Sequence, residues 1–275
     1  MICRNLLGKG VCWLPFLLLF VCFQARSQAN LSGQMGLINI PTANPSTDGF
    51  FRIGYNYNPR KYGLRRTGRN DEQVFFVNLA ISKRLEINVN FLKLISNDKS
   101  GIKDGLGDRQ IDIRYLIAKE SKTFPAIALI MSSPFTIDAA LLTHVIVATK
   151  HFDLSTDWSL ETSLGYGSPY FVYRDVKNLE NVDIFSGFKW EKKSDYVYNN
   201  GYLVGAFGGV NLKYKNIVGL MAEWDSQKAN VGCYVKPWKR LTLQGALLNG
   251  NQVMFGGSYT VSLLKTPKRI EKLHE

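Results

Sequence analysis

Leu85-Glu86-Ile87-Asn88-Val89-Asn90-Phe91 alternates without a break: odd positions are apolar, even positions are charged or amide. Successive side chains of a strand point to opposite faces, so this stretch has one greasy face and one wet face. Gln110-Ile111-Asp112-Ile113-Arg114-Tyr115 repeats the pattern. Segments of about ten residues with this period, parted by turn residues, are the signature of a barrel with lipid outside and water inside. They run from Phe50 to Leu264. The expected fold is therefore all-β: a transmembrane antiparallel up-and-down β-barrel of about twelve strands.

The strands are expected near Phe50–Asn58, Gln73–Ser82, Leu85–Ile95, Asp108–Ala118, Pro125–Ser133 and Thr143–Phe152. They continue near Trp158–Gly167, Tyr202–Tyr214, Ile217–Asp225, Ala229–Pro237, Leu241–Asn249 and Val253–Leu264. The connections Lys83-Arg84, Lys119–Phe124, Asp153–Asp157, Lys215-Asn216 and Trp238–Arg240 are short. Those at Pro59–Glu72, Ser96–Gly107 and Ser168–Gly201 are long. Short periplasmic turns alternating with long outer loops orient the barrel with both strand termini inside. A soluble sandwich or lipocalin-like barrel has the same period. The strand number, the aromatic apolar face on each strand and the single cysteine of the exported chain favour the membrane barrel.

The first residues read as a signal peptide: Arg4 and Lys9 precede a short apolar run, Val11–Phe23, and Ser27-Gln28-Ala29 suits cleavage after Ala29. A lipoprotein reading would use Cys22, but Val21 is larger than the usual small residue before such a cysteine. The expected division is leader 1–29, an extended lead-in 30–49, barrel 50–264 and a basic periplasmic tail 265–275. Of four cysteines, Cys3, Cys12 and Cys22 lie in the leader, leaving Cys233 with no intramolecular partner. The chain has 34 basic and 22 acidic residues. Removing Arg4, Lys9 and Arg26 with the leader leaves it basic still. Anionic partners suit an exported basic protein; nucleic acid does not.

The inward face is expected to carry Arg52, Glu86, Asn88, Asn90, Asp112, Arg114, Glu161 and Glu223, with Gln244. Charges of both signs in a lumen make either a constriction for a solute or ion pairs that fill a closed barrel. Residues Gly36-Leu37-Ile38-Asn39-Ile40-Pro41-Thr42-Ala43 precede the first strand, and Pro41 and Pro45 bar a regular element there. Closure of the first strand is the favoured reading of this lead-in; a lumen plug or a periplasmic contact is the alternative. On the outer side Arg60, Lys61, Arg65, Arg66 and Arg69 surround Tyr62, a cluster suited to lipid phosphates or an acidic glycan.

Catalytic motifs are absent from this reading. His144, His151 and His274 are the three histidines, none in a nucleophile motif or a paired metal spacing, and no phosphate-cradling loop occurs. A Ser132, Asp138 and His144 grouping is of the kind that chance supplies in a chain this long. No metal or cofactor is expected. Near the end, Gly256-Gly257-Ser258-Tyr259-Thr260-Val261-Ser262-Leu263 looks like the final-strand signal of assembled outer-membrane barrels.

Several ordered motifs resemble the YjbH-type exopolysaccharide-biosynthesis outer-membrane family. They are Gly36–Ala43 with Asp48-Gly49 and Arg52-Ile53-Gly54-Tyr55, then Gly105-Leu106-Gly107-Asp108 with Ile113-Arg114-Tyr115, and Val147–Phe152. Phe207-Gly208-Gly209-Val210, Ala222-Glu223-Trp224-Asp225, Lys236-Pro237-Trp238 and Leu247–Gly250 continue the order. The resemblance implies an outer-membrane barrel linked to making or exporting an extracellular polysaccharide. It brings no catalytic residues. The partners it implies are outer-membrane lipid, polysaccharide and periplasmic export proteins. A structural or assembly barrel with a plugged lumen, or a general small-solute channel, is the alternative function.

Overall fold

The computed structural model describes residues 28–65, 70–95, 107–135, 140–175, 185–195 and 201–264. Residues 1–27 of the leader, the tail, and Arg66, Arg69 and Asp138 lie outside the described residues. The strands are β1 (Phe50–Asn58), β2 (Asp71–Ala80), β3 (Leu85–Ile95), β4 (Asp108–Ala118), β5 (Ala126–Ser132), β6 (His144–Asp153) and β7 (Trp158–Gly167). Then come β8 (Tyr170–Arg174), β9 (Phe188–Lys192), β10 (Gly205–Tyr214), β11 (Val218–Trp224), β12 (Ala229–Trp238), β13 (Leu241–Leu248) and β14 (Gln252–Ser262). All except β8 and β9 close an up-and-down barrel of twelve strands, sealed where β14 pairs antiparallel with β1.

The turns explain the register. Lys215 and Asn216 both have positive φ, 48° and 55°, as do Asn249 and Gly250, at 45° and 71°. Two successive residues with positive φ form the turn whose twist matches that of paired strands. Pro237 lacks an N–H and sits where the β12–β13 register shifts between Val235 and Trp238.

Alternation sorts the wall into two faces. Ile53, Phe75, Ile111, Ile113, Leu164, Val253 and Phe255 are exposed on the outside. Aromatic pairs stand at both rims: with the end that bears the long connections taken as the outer one, Tyr57 stacks on Phe255 at 4.9 Å at that rim, and Trp158 meets Tyr214 at 5.0 Å at the opposite, inner rim. An apolar band flanked by aromatics is the exterior that a bilayer requires, and a closed barrel leaves no strand edge unpaired within it.

Two features of the strand pattern depart from the sequence reading. The long outer connection is not all loop: β8 and β9 pair antiparallel as a hairpin outside the barrel. The strand expected from Tyr202 begins only at Gly205, because Leu203 (φ 49°) and Gly205 (φ 94°) turn the chain inward first.

Candidate functional site: the lumen and the segment that fills it

The lumen is occupied by the protein's own chain. Residues 28–44 are buried along their length, apart from nothing more than a few per cent of most side chains. The lead-in is therefore not an extended run that closes the first strand; it folds back into the barrel. Short reversals make this possible. Asn30 N–H donates to Gln34 O at 2.8 Å, Leu31 N–H to Ile38 O at 2.7 Å, and Leu37 N–H to Ile40 O at 2.9 Å. Gly33 supplies a φ of 92°, a conformation glycine adopts without a Cβ penalty. Pro41 ends the second reversal, bridged to Gly36.

The apolar side of this segment joins the core. Leu31, Leu37, Ile38, Ile40 and Ala43 pack with Val74, Leu116, Val147, Phe207, Met221 and Met254 from the wall. Close approach needs small wall residues: a Cβ on Gly209 would lie 2.8 Å from Leu37 Cδ2. Burying each large aliphatic side chain is worth about 1.5–3 kcal/mol, so these residues hold the segment in place before any polar contact is counted.

The polar side meets the lumen residues one by one. Glu223 on β11 accepts the backbone N–H groups of Ile38 (3.0 Å), Asn39 (2.8 Å) and Ile40 (3.3 Å). Asp112 on β4 accepts from Gln34 Nε2 at 2.8 Å. Asn88 donates to Ser32 O at 2.9 Å. Arg114 pairs with Glu86 at 2.6 Å and donates to the carbonyls of Thr42 and Asn44. Ser46 in turn donates to Glu86. Glu161 accepts from Asn44 Nδ2 at 3.0 Å and is paired with Lys213. Asn90 donates to Asp112 at 3.3 Å. Arg52 reaches Thr260 Oγ1 at 3.3 Å and its guanidinium lies 5.0 Å from the Phe50 ring centroid. The structure thus brings seven of the eight inward residues together around the segment, and Arg52 borders the seam between β1 and β14.

Sequence reasoning missed other contributors. Asn56 donates to the carbonyls of Asn30 and Leu31 at 2.9 and 3.0 Å. Thr149 accepts the Ala43 N–H at 2.7 Å. Lys213 is the buried cation beside Glu161. Each sits in phase with inward residues of its own strand, so the period of two carried the signal.

At the two ends of the segment the barrel opens into clefts. The outer one, of about 220 Å³, is lined by Asn58, Tyr62, Tyr202, Asp225, Lys228 and Asn230 among others. Lys228 Nζ lies 4.3 Å from the centroid of the Tyr62 ring. The inner one, of about 350 Å³, has Lys119, Glu120, His151, Lys213, Tyr234 and Lys236 on its walls. Burial by itself would raise the Glu120 carboxyl. Hydrogen bonds from the His151 backbone and ring and from Lys150 outweigh that and hold it below the usual range.

The outer basic cluster is divided. Arg60 and Lys61 are exposed. Arg65 is half-buried, with Nη1 3.3 Å from Asp108 Oδ1, and the Leu64 and Arg65 N–H groups donate to Glu72. The Ser132 hydroxyl donates to Asp112 Oδ1 at 2.7 Å, whereas both His144 ring nitrogens lack a hydrogen-bond partner among the described residues. Ser132 and His144 do not form a nucleophile–base pair.

No curated protein matches the chain. Among solved structures, it is similar to an outer membrane channel from Pseudomonas putida F1, at 12% identity and a TM-score of 0.42, covering 80% of this chain and 98% of that one. It is also similar to the outer membrane phospholipase dimer of Salmonella typhi (11%, TM-score 0.33, 78% and 90% covered). The outer membrane phospholipase A of Escherichia coli stands close to that (12%, TM-score 0.32, 80% and 98%). The family model described as exopolysaccharide biosynthesis protein YbjH matches residues 28–274. With nearly the whole described chain inside that match, this twelve-stranded barrel belongs to the YjbH exopolysaccharide-biosynthesis family.

Proposed function

We propose that the protein is a non-catalytic outer-membrane barrel that serves the biosynthesis or export of an extracellular polysaccharide, and that residues 30–46 keep its lumen closed at rest. The observation that carries the closed state is the network just described. Carboxylates, amides and a guanidinium from β1, β3, β4, β7 and β11 are spent on the segment rather than on an open path. A general small-solute channel would need that path free.

Family membership supports the link to polysaccharide. The outer cleft supports it too: amide, carboxylate and tyrosine side chains line it, groups that hydrogen-bond hydroxyls and pack against sugar rings. Arg60 and Lys61 stand exposed on the same side for anionic glycan or lipid. Periplasmic export proteins would meet the inner cleft. A leader ending near Ala29 would deliver the chain to the periplasm, which the mass of the mature protein checks. The functional reading is tested by deleting the gene and measuring secreted polysaccharide. A loss restored by the intact chain is expected, and unchanged polysaccharide would overturn the reading.

A further inference from the structure

The β8–β9 hairpin has two unlike faces. The pairs Phe171–Glu191 and Tyr173–Lys189 share one, and Tyr170–Lys192, Val172–Trp190 and Arg174–Phe188 share the other. The first face is seated on the barrel through Phe171, while Lys189 at its other end is exposed and pairs with Asp175 at 2.7 Å. Phe171 is 2% exposed and clusters with Leu142 and Tyr173, and Lys193, just after β9, donates to Leu142 O at 2.8 Å and Tyr202 O at 3.2 Å. The second face looks away. Trp190 is 69% exposed, and Tyr170 and Phe188 are exposed as well.

That outward face continues the lipid-facing band of the wall. On one side Tyr166, exposed at the outer end of β7, leads within a few residues to Tyr170. On the other, Phe135 continues the outward phase of Leu129 and Met131 and meets Phe188 edge-on at 6.0 Å. Arg174 lies 6.0 Å from the Phe135 ring, and Lys192 stands at the opposite corner of the same face. Aromatics between two cations, above an apolar wall, match the boundary where acyl chains meet anionic head groups.

We propose that the outward face of this hairpin lies on the outer leaflet, with Trp190 and Phe188 at the acyl boundary and Arg174 and Lys192 on lipid phosphates. The hairpin is then an anchor outside the barrel wall, which fixes the rim over β5–β7 against the membrane. The commitment is to phosphorylated lipid rather than to a second copy of the chain: the face is continuous with the lipid band and carries the charge that phosphate requires.

Depth measurement by spin labelling tests this in the folded full-length barrel. In a Cys233→Ser background, W190C and K189C each receive a nitroxide, in phosphatidylcholine vesicles with and without lipopolysaccharide. Residues 189 and 190 are neighbours on opposite faces, so a merely mobile hairpin gives both the same accessibility. The expected result is position 190 exposed to oxygen and shielded from a water-soluble nickel relaxer, more strongly with lipopolysaccharide, while position 189 is not. Arg174→Glu with Lys192→Glu should abolish the lipopolysaccharide effect. Equal aqueous accessibility at both positions would overturn the proposal, as would dipolar broadening at 190 that grows with protein density, which marks a second copy. Heat-modifiable gel mobility confirms that each variant is folded.

Discussion

The Glu223 carboxylate accepts the backbone N–H of Asn39 at 2.8 Å, joining the wall at β11 to the tip of the segment that fills the lumen. The same carboxylate takes the N–H groups of Ile38 and Ile40 on either side. One side chain therefore satisfies successive donors that no strand or helix pairs. An unpaired buried N–H costs about 1–3 kcal/mol, so this carboxylate is a strong polar tie between the wall and the segment.

Glu223→Ala should free the tip without opening the wall. The barrel ladders do not use this side chain. The expected outcome is amide exchange at Ile38, Asn39 and Ile40 faster by one to two orders of magnitude, from a loss of roughly 2 kcal/mol, with strand amides still protected. Unchanged protection at those three amides would count against the tie.

The inner half is held differently. Arg114 and Glu86 are paired at 2.6 Å and both are almost fully buried. Removing one member of such a pair strands the other charge and costs about 3–5 kcal/mol. Arg114→Met should lower stability in urea by roughly that amount, and Glu86→Gln by a similar one. The double replacement should cost less than the sum, because neither charge is then left alone. Strict additivity would show that the two do not act as a pair.

Lys193 gives a pH dependence. Burial pulls its ammonium down from 10.5 to about 7, although its Nζ is bonded to two carbonyls. A folded-state value below the unfolded one means that the undocked hairpin binds more protons between about pH 7 and 10.5, so docking strengthens as pH rises through that window. Below about pH 7 the full cost of burying the charge is present. Exchange of the Lys193 amide, which donates to Pro169 O at 2.9 Å, should be slower in its open fraction at pH 9 than at pH 6. Lys193→Met should flatten the difference; an undiminished pH effect in that variant would assign it elsewhere.

The lipid face is tested by charge. Leu164, 72% exposed on β7, should resist Arg at a cost of roughly 2–4 kcal/mol for folding into vesicles. Leu154→Arg, at a residue 58% exposed in the inner turn after β6, should cost far less. Equal costs would contradict the placement of the bilayer along β7.

The barrel was legible because its period is local: Glu86, Asn88 and Asn90 declare their face by their spacing alone. The turns at Lys215-Asn216 and Asn249-Gly250 were legible as breaks between such runs. The segment at residues 28–46 was not, because its position depends on contacts far away in the chain, such as Asn39 with Glu223 and Asn44 with Glu161. Its prolines and glycines say only that it is irregular. The β8–β9 hairpin escaped notice for a related reason: five-residue strands such as Phe188-Lys189-Trp190-Glu191-Lys192 are too short for alternation to stand out inside a long loop. Asn56, in phase with the recognised inward residue Arg52 on the same strand, was available in the sequence and follows from the same rule.

Single-channel recording in planar bilayers tests the closed lumen most directly. The account predicts that the purified, folded chain gives no conductance steps, and that variants lacking residues 30–46 or carrying Glu223→Ala give discrete steps, larger and longer-lived in the deletion. Steps from the intact chain equal in size to those of the deletion would contradict the claim that this segment closes the barrel.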